Sequence, residues 1–302
     1  MKIGFFYSCI VFLLLFTSCH KSEGKITGWY KKHYSFYDRQ GKALQDGILI
    51  DSIFYKIRNN RIVEFSGETS INRFPTSVRG KFEYKNGRII KIRQFKGKRL
   101  ITTIRYFYNT QGKLSKFQSL FWDPFYHRYK HYVLEFDYKN PDTIFSVGKS
   151  SADGKIYKKV MASKFVFDGH NNRTYYQTKS RGENEICTAS YDSLGNILSF
   201  KIQGKNAYFY SYSSGKNSEA LIYNNSFGKV TNLLTTLSTN GFLPKNISPY
   251  LLKNISKEGK KDSFQYFIQT ATNRNNRSLS TRYKEISNKR KGNEEVSEFI
   301  YE

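Results

Sequence analysis

The stretch Phe82-Glu83-Tyr84-Lys85-Asn86-Gly87-Arg88-Ile89-Ile90-Lys91-Ile92 decides the fold. An aromatic segment runs into Asn-Gly and leaves as aliphatic residues interleaved with basic ones. Asn-Gly supplies the positive φ angles that a tight hairpin connection needs. Alternation on either side sends one set of side chains to each face of a pleated strand. The stretch therefore reads as a β-hairpin.

The same theme recurs along the chain. Tyr37-Asp38 with Gly41, Tyr106-Phe107-Tyr108-Asn109 with Gly112, and Tyr191-Asp192 with Gly195 are clear copies. Phe54 to Val63 and Phe165 to Asn172 are weaker ones. Their spacing is irregular, which makes the unit a degenerate hairpin repeat rather than a strict solenoid. The composition agrees. Aromatic residues make up 17% of the chain, with 25 Phe, 24 Tyr and 2 Trp, and they suit a sheet with one packed and one wet face. The expected fold is mainly β, a large antiparallel meander sheet that curls toward a barrel. Whether it closes stays open at this point.

Between about Ser211 and Gly259 the hairpin pattern breaks. Val230, Leu233, Leu234 and Leu237 fall on one helical face, which predicts a short helix near residues 227–240, ended by Gly241 and followed by Pro244 and Pro249. A pair of buried strands is the rival reading. Three closing strands are then expected, at Ser263–Ala271, Leu279–Ile286 and Val296–Tyr301, with turns at 273–276 and 288–293.

The N-terminus carries a different signal. Met1-Lys2 precedes an apolar run from Ile3 to Phe16, which ends in Thr17-Ser18-Cys19. The run is shorter than the roughly 20 apolar residues of a membrane-spanning helix and reads as an export signal. The expected organisation is a signal at 1–18, a tether at 19–26 and one domain at 27–302.

These features carry two resemblances. Thr17-Ser18-Cys19 resembles the lipobox of bacterial lipoproteins, which implies acylation of Cys19 and attachment to membrane lipid. The Tyr-Asp-x-x-Gly copies resemble the YD repeats of RHS-type proteins. Together they make the body similar to lipoproteins of unknown function from Bacteroidetes, with extended antiparallel sheet or barrel-like folds. That group brings no activity, so no catalytic residue follows from it. It implies a cell-envelope location, at the outer membrane. The tether has only Glu23 as an acidic residue, which favours the periplasmic face over the surface.

Charge narrows the partners. The chain has 50 Lys+Arg against 24 Asp+Glu, a net +26. Such a surface attracts polyanions, although a merely solvated basic face is the plainer reading. Basic and aromatic residues interleave at Arg88 to Arg99, Arg128 to Tyr132 and Arg282 to Lys291, a pattern suited to stacking sugars while holding acidic groups. For an exported protein, acidic glycans or lipid head groups fit better than nucleic acid. The expectation is a non-enzymatic scaffold or binding protein. The alternative is a glycan-processing or glycan-capture accessory factor, which requires a cleft where aromatics and two carboxylates converge.

Reactive groups are few. His127 and His131 are four apart, but strand-like flanks would set them about 13 Å apart at strand rise. No metal, cofactor or catalytic site is expected. Cys187 reads as a buried, inert thiol. Glu135 and Asp137 share a strand face and read as surface ion-pair partners; Glu64, Glu68, Glu83, Glu183 and Glu185 form no evident pair.

Overall fold

The computed structural model describes residues 25–37, 43–69, 76–123, 126–180, 182–205, 207–235, 248–258, 264–272, 278–287 and 290–302. Cys19, the tether to residue 24, the first Tyr-Asp turn at 38–42 and the turn at 273–276 lie outside them.

Among the described residues eighteen strands form one antiparallel meander. They are β1 (Ile26–Tyr37), β2 (Ala43–Arg58), β3 (Arg61–Thr69), β4 (Thr76–Lys85), β5 (Arg88–Lys96), β6 (Arg99–Tyr108), β7 (Leu114–Asp123), β8 (Arg128–Asn140) and β9 (Thr143–Ser151). They continue as β10 (Lys158–Phe167), β11 (Arg173–Ser180), β12 (Glu183–Tyr191), β13 (Ile197–Ile202), β14 (Tyr208–Lys216), β15 (Tyr250–Lys257), β16 (Phe264–Thr272), β17 (Ser278–Ser287) and β18 (Arg290–Tyr301). Two short helices, α1 (Ser218–Phe227) and α2 (Lys229–Thr235), separate β14 from β15.

The sheet curls until its ends meet. β18 pairs antiparallel with β1, setting Trp29 opposite Phe299, Lys31 opposite Ser297 and His33 opposite Glu295. β2 flanks β1 on its other side, with Tyr55, Ile53 and Asp51 opposite the same three residues. At one junction, β15 beside β16, the described residues fix adjacency but no register. The result is a curled meander rather than a barrel sealed by continuous ladders.

Local chemistry explains the turns. Asn86 (φ 49°) and Gly87 (φ 76°) form the two-residue loop between β4 and β5, and both need the left-handed region. Asn59 and Asn60 do the same between β2 and β3. The Tyr-Asp copies close a longer loop. Asp192 accepts from the backbone N–H groups of Leu194 and Asn196 at 2.9 and 2.8 Å. Asp168 accepts in the same way from His170 and Asn172 at 2.9 and 2.8 Å. The copy around Asp168, weak in sequence, is thus a full copy in structure.

Tyrosines, two of them in repeat copies, stitch neighbouring strands together. Tyr84, Tyr138 and Tyr191 stand near the end of their strands and Tyr212 mid-strand, and each donates to a carbonyl at the start of the strand beside it. Tyr84 reaches Ile62 and Tyr138 reaches Leu114, both at 2.7 Å. Tyr191 reaches Arg173 at 3.0 Å and Tyr212 reaches Ile197 at 2.7 Å. Burial pushes the Tyr84 phenol up to about 12, which keeps it a donor throughout the ordinary pH range.

The core lies on the inner face, where the helices pack. α1 places Ile222 among Ile26, Trp29, Ile57, Ile62 and Phe299. α2 places Leu233 and Leu234 among Ile89, Tyr106, Phe165 and Ile197. Asn217 caps α1 by accepting from the N–H groups of Glu219 and Ala220 at 3.1 and 3.3 Å. Arg173 is wholly buried and donates to the carbonyl of Leu233 at 2.7 Å; desolvation pulls its guanidinium down to about 10.

The sequence expectation needs four corrections. Helix begins at Ser218, nine residues before Phe227, because Asn217 rather than the apolar spacing starts it. The helical segment is broken in two at Gly228, and Leu237, Gly241 and Pro244 lie outside the described residues. Strand pairing persists to Lys216 and resumes at Tyr250, so the interruption is shorter than 211–259. Four strands rather than three follow the helices, and β18 starts at Arg290, inside the expected turn.

Candidate basic and aromatic surface

Burial alternates strictly along the start of β4. Thr76, Val78 and Gly80 are buried while Ser77, Arg79 and Lys81 are exposed. Register carries the outer set to Arg93 and Lys91 on β5 and then to Arg105 on β6. The outer face is thus rich in cations at mid-strand.

A shallow groove of about 580 Å³ lies on this face, lined by Lys56, Arg79, Lys81 and Arg93 with Phe54 and Phe95 as apolar walls. The Arg79 guanidinium sits 5.2 Å from the Phe95 ring centroid. Lys81 contacts Glu64 at 3.6 Å and Arg93 contacts Glu83 at 2.7 Å, so acidic neighbours offset part of the charge.

The β5–β6 hairpin extends the surface to a second cluster. It carries Phe95 at the groove and Arg99 stacked 3.5 Å from the Trp122 ring centroid on β7. Tyr129 meets Trp122 edge-on at 5.2 Å and donates to the Leu100 carbonyl at 2.6 Å. In the turn before β8 Tyr126 is 64% exposed, with the Arg128 guanidinium at 5.2 Å and the ammonium of Lys130, a residue of the opposite face of β8, at 4.8 Å. The structure therefore brings the Arg88 to Arg99 stretch only to Tyr129 of the Arg128 to Tyr132 stretch, because Lys130 and Tyr132 alternate to the other face of β8. In the third, Arg282 to Lys291, side chains fall outside the description.

The remaining sequence candidates separate. His127 lies in the turn before β8 at φ 47°, not in a strand, and its ring faces Trp122 at 6.4 Å. His131 is within β8, opposite Leu120. Among the described residues no three His, Cys, Asp or Glu side chains gather as metal ligands. Cys187 is fully buried on the inner face, and burial pushes its thiol up to about 12. Glu135 and Asp137 are exposed and pair with Lys149 and Lys139 at 2.5 and 3.5 Å.

One cluster escaped the sequence reading. Lys31, on the inner face of β1, contacts Glu219 of α1 at 2.8 Å and Glu295 of β18 at 3.3 Å. His33 continues the chain to Glu295 at 2.7 Å and Asp51 at 3.5 Å. Ser297 donates to the second oxygen of Glu219 at 3.1 Å. Burial disfavours the Lys31 charge, but Glu219, Tyr223 and Glu295 outweigh it and hold the ammonium well above its usual range. Glu219 and Glu295 are thus both engaged by Lys31. The alternation Trp29-x-Lys31-x-His33 against Glu295-x-Ser297-x-Phe299 was the available signal.

No family model matches the sequence, and no curated protein matches it. Among solved structures, a porin-like protein from Bacteroides uniformis is similar in arrangement, with a TM-score of 0.45 at 13% identity over 92% of this chain and 98% of that one.

Proposed function

We propose that the protein is an envelope lipoprotein, attached to the outer membrane through acylated Cys19 on the periplasmic side, that binds acidic glycans without transforming them. The observation that carries the reading is the groove of Lys56, Arg79, Lys81 and Arg93 walled by Phe54 and Phe95. Aromatic faces take the C–H faces of sugars, and the cations take carboxylate, phosphate or sulfate groups.

The outer face supports an aqueous setting for the body. Arg79 and Lys81 on β4 and Arg105 on β6, on either side of β5, are exposed. A Lys or Arg on the lipid face of a membrane barrel costs about 2–4 kcal/mol at the bilayer midplane. A sheet with this outer surface stands in water, and in this reading the acyl chains supply its attachment.

Fatty-acid labelling in cells tests the anchor: label is expected on the wild type and lost in Cys19→Ala. Titration with polygalacturonate tests the surface. Binding is expected to weaken at least 10-fold in Arg79→Glu/Arg93→Glu and to fall with added salt. A wild type that ignores the polymer but binds phosphatidylglycerol vesicles would reassign the surface to lipid head groups.

A further inference from the structure

The inner face holds a cavity that the outer surface does not use. It measures about 570 Å³; Phe121, Lys130, Tyr132, Ser150, Met161 and Ser180 line its core side, and His131, Ser151 and Val160, which alternate to the other face, stand at its rim. Its size is within the range of ligand pockets. Register places the first six on the core side of the sheet. Tyr132 pairs with Ser150 and lies two residues from fully buried Leu134; Met161 pairs with Ser180 and Gly148. The cavity therefore continues the core toward the hairpin tips, where packing gives way to polar groups.

Its chemistry is specific. Phe121 is 38% exposed although its register sets it on the core side, so part of its ring is open at this end of the sheet. Gly148 leaves the room that the Tyr132 side chain fills, since a Cβ there would stand 2.7 Å from the Tyr132 Oη. Among the described residues neither the Tyr132 hydroxyl nor the Ser150 hydroxyl has a hydrogen-bond partner. Lys130 is neutralised by Asp123, with which it forms an ion pair. The wall thus offers an aromatic plate, free hydroxyls and a charge pair of zero net charge. That combination favours a hydroxyl-rich, uncharged ligand: the ring stacks on C–H groups, and the hydroxyls and the pair exchange hydrogen bonds with OH groups.

We infer that this inner cavity is a binding site for neutral sugar units, separate from the cationic outer groove. The inference goes beyond the acidic-glycan reading and does not depend on it.

Met161→Cys places a thiol on the cavity wall without touching the hydroxyls, in full-length mature protein carrying Cys19→Ser. Native Cys187 is buried, so the introduced thiol reports alone. Maltotriose and cellotriose are the probes. Either trisaccharide is expected to slow maleimide labelling of the introduced thiol at least 5-fold at saturation. Tyr132→Phe and Ser150→Ala, both conservative, are each expected to weaken that protection about 5-fold. Arg79→Glu/Arg93→Glu is expected to leave it within 2-fold. Unchanged labelling with both sugars overturns the inference while leaving the outer groove standing. Equal protection in the Tyr132→Phe and Ser150→Ala variants overturns it as well, as does loss of protection in the outer-groove variant.

Discussion

The hydroxyl of Tyr84 lies 2.7 Å from the carbonyl oxygen of Ile62, the first core residue after the Asn59-Asn60 turn. The bond joins the exit of one hairpin to the entry of the one before it, and Tyr138, Tyr191 and Tyr212 repeat it along the chain. It gives these positions a reason to be Tyr rather than Phe. Removing each hydroxyl leaves a part-buried carbonyl short of a donor. Tyr84→Phe, Tyr138→Phe and Tyr212→Phe are each expected to cost about 1–2 kcal/mol in urea unfolding. Tyr175→Phe, whose hydroxyl contacts only the Gln177 side chain at 3.2 Å, should change little. Equal effects at all four positions would remove the stitching role.

Lys31 ties together the first strand, the last strand and helix α1 through Glu219 and Glu295. Lys31→Met leaves two carboxylates facing each other in a buried setting, and a loss of about 3–5 kcal/mol is expected. Lys31→Met/Glu219→Leu should recover much of that loss, since the remaining groups are better matched. Thermal unfolding of the three variants measures it; a double variant no better than the single would show that the pair is not the source.

Gly80 sits under the ring of Phe65, and a Cβ at that position would come within 2.0 Å of it. Gly80→Ala is expected to destabilise by about 1–3 kcal/mol through overpacking. Phe65→Leu shortens the clashing side chain, so the double variant should lose less than the sum of the singles. Strict additivity in denaturant melts would argue against the contact.

Asp153 organises the loop between β9 and β10. The N–H of Lys155, the Ser151 hydroxyl and the N–H of Ile156 hold its carboxylate down, to about 2 from an ordinary 3.8. A folded-state value below the unfolded one means that the loop's order is present above about pH 4 and is lost as pH falls through about 2. The amide resonances of Lys155 and Ile156 should follow that titration, and Asp153→Asn should flatten it. An ordinary carboxylate midpoint for the wild type would count against the hydrogen-bonded loop.

Much of the sheet was legible because its signals are local. Asn86-Gly87 and Asp192-x-x-Gly195 fix turns within a few residues, and period-two alternation around them orients the strands. The basic-aromatic surface was half legible: the stretches could be read singly, but only pairing of β6 with β7 brings Arg99 onto Trp122. The Lys31 cluster was not legible, because its members stand far apart in sequence and converge only when β18 meets β1. The start of α1 was missed for a related reason. Its cap, Asn217, follows a strand whose residues Ser211 to Lys216 carry little apolar alternation.

The pairing of β18 with β1 also makes one core residue depend on two distant parts of the chain. Trp29 is enclosed on one side by Tyr55, its near neighbour in sequence, and on the other by Phe299, from the last strand of the sheet. The backbones of Lys25 and Glu302 exchange hydrogen bonds at 3.0 and 2.9 Å beside it. Damage confined to β18 would therefore bare the first strand as well as the last.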